Sequence, residues 1–133
     1  MNSFRLKIVT PDGMAFDGMA EELIVRTTTG DLGILAGHIP CVAPLGMGRA
    51  TVIIEGKRRY AACIGGLVSV MDSHVNLVPT TFEWAENIDQ ERASASERRA
   101  REVLKDKTST ETDLRLAEAR LKRAMVRKSI VQG

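Results

Sequence analysis

Arg92 and Arg99 stand seven residues apart in the stretch "ENIDQERASASERRAREV", and Arg120, Arg123 and Arg127 follow at steps of three and four. Seven residues make about two helical turns, so in a helix Arg92 and Arg99 share a face, and the later three share one too. A break at "DKTSTETD" (106–113) separates the two runs. An antiparallel return about residue 108 sets residue 92 opposite 124 and residue 99 opposite 117, turning the two arginine sets toward each other. Converging guanidiniums repel unless an anion lies among them. Two anions suit their forked donors. One is carboxylate, from Asp89 beside Arg92 with Glu83 or Glu118, giving a solvated ion-pair network of small net worth. The other is a phosphate chain, which would make the cleft a binding site.

The elements that would position these residues follow from the composition. Residues 1–85 hold seven Lys or Arg against eight Asp or Glu, and ten of the eleven glycines lie before residue 67. "FRLKIV" alternates apolar and charged residues, "TPDG" supplies a turn, and "EELIVRT", "ATVII", "RRYAA", "LVSVM" and "VNLV" continue as short strands divided by turn residues. Many short strands without a helical period predict a β-sandwich or small barrel. Residues 86–133 differ in kind, with twelve basic against nine acidic residues, no glycine from 67 to 132 and no proline after Pro79. Ala, Glu, Arg, Lys and Leu dominate there, as helices favour.

This divides the chain into a β domain, 1–85, and a helical hairpin, 86–133. Thr110 with Asp113, or Ser109, is placed to cap the second helix. Its apolar stripe runs through Leu114, Ala117, Leu121 and Ala124 or Met125, facing Ala93, Ala95, Ala100, Val103 and Leu104. Alanine lets helices approach closely but buries little area, so at about 25 cal/mol per Å² such a hairpin is marginal alone.

Other classes are poorly supported. No apolar run approaches the length of a membrane span, and the N-terminal segment lacks a signal-peptide layout. Cys41 and Cys63 are spaced too widely for a metal-binding turn, and His38 and His74 stand alone beside turns. Trp84, between the two parts, reads as an anchor. The apolar residues Val42, Leu45 and Met47, flanked by proline and glycine, are expected to form an exposed patch. The helices mix both charge signs without aromatic residues, which argues against nucleic acid, and no nucleophile–base–acid set is present.

The chain resembles the epsilon subunits of bacterial F-type ATP synthases along its whole length. The β part carries "VTPDG" (9–13), "GDLGILAGHIP" (30–40), "VAPL" (42–45) and "IGG" (64–66); the helical part carries "IDQERA" (88–93) and "LKRAMVR" (121–127). Ala36 departs from the family, which often has proline there. The resemblance implies an α+β protein: an N-terminal antiparallel β-sandwich followed by a C-terminal two-helix antiparallel hairpin. It also implies a non-catalytic place on the central rotor, at the cytoplasmic face of the bacterial membrane and peripheral to it. The partners would be the gamma subunit and the c-ring, and the alpha and beta subunits when the helices extend to oppose ATP hydrolysis. In nucleotide-binding members the compact hairpin holds ATP as a regulatory ligand; the matching positions are Glu83, Ile88, Asp89, Arg92, Ala93, Arg99, Arg123 and Arg127. Whether Mg2+ accompanies ATP is left open. The alternative is a purely structural rotor coupler whose arginines form internal ion pairs.

Overall fold

In a computed structural model describing residues 2–132, without the side chain of Gln132, the chain forms two compact units that divide between Trp84 and Ala85. The first is a sandwich of ten strands: β1 (Phe4–Thr10), β2 (Gly13–Ala20), β3 (Glu22–Thr27), β4 (Gly30–Leu35), β5 (Cys41–Pro44), β6 (Met47–Ile54), β7 (Lys57–Ile64), β8 (Leu67–Met71), β9 (His74–Val78) and β10 (Thr81–Trp84). They make two five-stranded sheets, in the orders β2-β1-β9-β8-β5 and β10-β7-β6-β3-β4. Pairing is antiparallel except between β1 and β9, which run parallel.

Alternation places the core. Phe4, Leu6 and Ile8 of β1, Leu23 and Val25 of β3, Val68 and Val70 of β8, and Val75 and Leu77 of β9 point between the sheets and are buried. Arg5 and Lys7 face out, and Arg5 is paired with Asp17 at 2.6 Å. Trp84 closes the core. It is packed edge-on against Phe16 and Phe82, with the Arg59 guanidinium 3.7 Å from its ring centroid. The expected patch at Val42, Leu45 and Met47 is not formed as such: Val42 is exposed, but Leu45 lies in the core and Met47 is half-buried. Leu45 follows the end of β5 and turns into the core, whereas Val42, within β5, points off the outer face.

Three of the crossings between sheets meet at one place. The chain passes from β5 to β6 through Leu45–Gly46, from β7 to β8 through Gly65–Gly66, and from β9 to β10 through Pro79–Thr80. Backbone bonds tie them together: the Leu45 amide donates to the Gly66 carbonyl (2.8 Å), Gly65 to Gly46 (2.9 Å) and Thr80 to Gly65 (3.3 Å). Such close backbone approach is what the "IGG" glycines allow.

The second unit begins with a single 3-10 turn, Ala85–Asn87, followed by α1 (Gln90–Lys105) and α2 (Glu111–Gln132). Asp89 caps α1, its carboxylate accepting from the Arg92 backbone amide at 3.1 Å. The expected cap of α2 is present in reciprocal form: the Thr110 amide donates to Asp113 Oδ2 (3.0 Å), and the Asp113 amide to Thr110 Oγ1 (3.1 Å). Alanines make the seam, with Ala93, Ala100, Ala117 and Ala124 all buried, while Leu114 and Leu121 are half-buried. Met125, the alternative to Ala124, faces solvent.

Candidate functional site

Each residue turns a helix by about 100°, so offsets from the buried alanines give each side chain's bearing. Arg92 and Arg99 sit one position before Ala93 and Ala100, about a quarter turn to one side of the seam. On α2, Arg123 sits one before Ala124, Arg120 three after Ala117, and Arg127 three after Ala124, all displaced in the same rotational sense. Antiparallel helices facing each other keep like displacements on one flank. All five arginines therefore border the same side of the hairpin.

The opposite flank is closed. Glu97 and Lys128, each displaced the other way, meet across the helices at 3.1 Å, and Arg101 approaches Glu97 from the next turn at 3.6 Å. The hydrogen bond from Lys128 holds the Glu97 carboxyl below its ordinary value of 4.5; partial burial opposes this, and the charges of Lys128 and Arg101 reinforce it. A carboxylate with a depressed value stabilises the hairpin above the ordinary value and loses that contribution as pH falls through the lower one. Asp106, held down by the amide and hydroxyl of Thr108, acts in the same direction. Acidification from neutral to below pH 4.5 is therefore expected to loosen the hairpin. In Glu97→Gln the hairpin should be looser at neutral pH and less responsive to acid, read from helix amide shifts by NMR; a titration identical to the parent's would remove Glu97 from the account.

The arginine flank is open. A groove of about 680 Å³ lies between the helices on that side, with Ser96, Arg99 and Ala100 on one wall and Leu116, Ala117 and Arg120 on the other. Among the described residues, Arg92, Arg99, Arg120 and Arg123 make no ion pair, whereas Arg127 is engaged by another group of the chain. Glu102, Asp106 and Asp113 border the groove toward the turn, so its charge changes sign along its length.

The eight residues singled out in the sequence are thus distributed unevenly. Arg92, Arg99, Arg123 and Arg127 are brought to one flank. Asp89 is on that flank too, but the bond it makes to Arg92 goes to the backbone amide and not to the guanidinium. Ile88 is half-buried just before α1, and Ala93 is buried in the seam, where its small size sets the helix spacing. Glu83 belongs to β10 of the sandwich and is engaged there or elsewhere in the chain. Arg120 lines the groove although the motif did not include it; only its spacing from Arg123 pointed to it. Lys128 and Glu97 were missed.

The β-sandwich domain model of the ATP synthase delta/epsilon chain matches residues 3–85, and the long α-helix domain model of the same chain matches residues 86–132. The chain belongs to the ATP synthase delta/epsilon family. Curated relatives in this family agree over nearly the full length. An ATP synthase epsilon chain of Bacillus velezensis is 44% identical over 127 residues, covering 96% of both chains. One of Bacillus licheniformis is 42% identical over 132 residues, covering 99% of this chain and all of its own. A chain in the Euglena gracilis mitochondrial ATP synthase has the same fold at a TM-score of 0.84 and 24% identity, with 96% of this chain and 80% of that one covered. The epsilon-type assignment thus rests on both units of the chain.

Proposed function

We propose that this epsilon-type chain is a non-catalytic central-stalk subunit whose compact hairpin binds ATP along the arginine flank and thereby withholds the helices from an inhibitory, extended arrangement. The observation that carries this is the asymmetry of the hairpin: one flank is closed by Glu97–Lys128, while on the other Arg92, Arg99 and Arg123 make no ion pair among the described residues and Arg99 lines an open groove. The phosphates would share charge among those arginines and Arg127. Asp89 would hold the start of α1, and so Arg92, in place. Ile88 offers an apolar surface for the base. ATP would serve here as a ligand and not as a substrate.

Binding favours the compact form only through its preference for it, by RT ln(1 + [L]/Kd), or about 2.7 kcal/mol at a hundredfold excess over Kd. A seam of alanines is marginal enough for this to change the population. As ATP falls, extended helices gain population and would meet the alpha and beta subunits. The sandwich would dock on gamma and the c-ring, and an exposed apolar row supports a docking role. Pro44, Leu67 and Val78 stand opposite one another on three neighbouring strands, and Val9 and Met14 continue the row on β1 and β2. Among the described residues no helix is long and apolar enough to cross a membrane, so membrane association would come through the complex.

Calorimetric titration of the full chain with ATP, repeated on Arg92→Ala with Arg99→Ala, is the test. Saturable binding by the parent and a loss of about a hundredfold in the double variant are expected, two charge-assisted contacts being removed. A flat titration of the parent at millimolar ATP would leave the structural coupler. Engagement of Arg127 is what that second reading anticipates. ATP hydrolysis by the reconstituted complex with parent or double variant then tells whether binding regulates.

A further inference from the structure

We infer that Arg120 is a further nucleotide-binding residue and that, with Arg99, it forms the rung that distinguishes a triphosphate from shorter nucleotides; this rests on the reading above. Arg99 and Arg120 project into the same groove from opposite helices. By their offsets from the buried Ala93 and Ala124, Arg92 and Arg123 border the same flank nearer the start of α1. The apolar residue that offers a seat for a base, Ile88, lies beyond them, immediately before Asp89. From Ala93 to Arg99 the helix advances about 9 Å, so a nucleotide whose base lies at the Ile88 end extends its phosphates up the flank. The inner phosphates then meet Arg92 and Arg123. The outermost, which carries the most charge, reaches Arg99 and Arg120.

The acids toward the turn fix this direction. Glu102, Asp106 and Asp113 border the groove past the Arg99–Arg120 level. Asp106 and Asp113 hold the interhelical turn through Thr108 and Thr110, so they stay in place when a ligand arrives. Their charge repels an anion advanced any further, and the upper rung becomes the last favourable position for a phosphate. Arg120 makes no ion pair among the described residues, so no internal partner has to be displaced.

Titration of the full chain with ATP, ADP and AMP, in the parent and in Arg120→Ala, Arg120→Lys and Arg115→Ala, tests the inference. Arg115 is exposed and two positions before Ala117, on the outer face of α2, and serves as the control. Arg120→Ala should weaken ATP binding about tenfold, the size of one charge-assisted contact, and change AMP binding by less than about twofold. Arg120→Lys should recover part of the loss, retaining charge without the fork. Arg115→Ala should match the parent. Parent-like ATP affinity in Arg120→Ala would overturn the inference and leave the ATP reading intact. Equal losses for all three nucleotides would also overturn it, since Arg120 would then act on the hairpin as a whole. A parent that binds none of them overturns both.

Discussion

Gly66→Ala is expected to destabilise the β-sandwich by about 3 kcal/mol or more, the range of a clash combined with backbone strain. Gly66 has φ +88°, and a methyl group there would overlap the Val78 carbonyl oxygen and lie 2.8 Å from Pro79 Cα. Both obstacles are backbone, in the crossing from β9 to β10, and neither can swing aside. Shifting Gly66 would disturb its bond with Leu45 and, through Gly65, the bonds to Gly46 and Thr80, so all three crossings would be affected. Gly30 is the comparison. Its φ of +132° is also unfavourable to other residues, but nothing lies within 4 Å of an added methyl, so Gly30→Ala should cost only about 1 kcal/mol. Urea denaturation of the two variants separates strain from crowding. If their losses agree within error, the crossing backbones tolerate more separation than their bonding implies.

Ala117→Leu is expected to have the largest effect on the hairpin. Ala117 is 3% exposed and, with Ala93, Ala100 and Ala124, forms the line along which the helices touch. Leucine is as good a helix former as most residues, so α2 itself remains helical. The added branches fall on the line where the helices approach through facing alanines, beside the groove, and overpacking of such a line costs about 1–3 kcal/mol. The hairpin has no large apolar core with which to absorb that, so the helices should part. Double electron–electron resonance between labels on α1 and α2 should show a longer and broader distance distribution. Met125→Leu, on the exposed side of the same helix, should leave the distribution unchanged. A variant at 117 with the parent's distribution would mean that the alanine line does not set the spacing.

The strands that could be read from the sequence share a physical property. β1, β3, β6, β7, β8 and β9 are interior strands, and alternation or apolar runs announced each of them. The four that went unread, β2, β4, β5 and β10, are the four edge strands. An edge strand has a neighbour on one side only, tolerates glycine and proline, and need not alternate strictly. "GMAFDGMA" and "GDLGIL" each contain two glycines, and β5 ends on Pro44. At the hairpin, residue spacing sufficed to put the arginines on a common flank, because bearing about a helix follows from position alone. The ionic contacts did not follow from it. Glu118 was a possible arginine partner, but one position after Ala117 it is turned toward the other flank, and Asp89 is occupied by a backbone amide. The pairing of Glu97 with Lys128 depends on the reach of a flexible side chain, which spacing does not express.

Because Glu97 and Lys128 bind the helices like the spine of a book, the fore-edge can be visited without turning a page. Under the proposed reading, a small anion would come and go past the arginines by exchanging places with water, with no need to melt either helix. Loading and release would then be far quicker than any helix extension, and the hairpin would sample its surroundings many times before a change of shape.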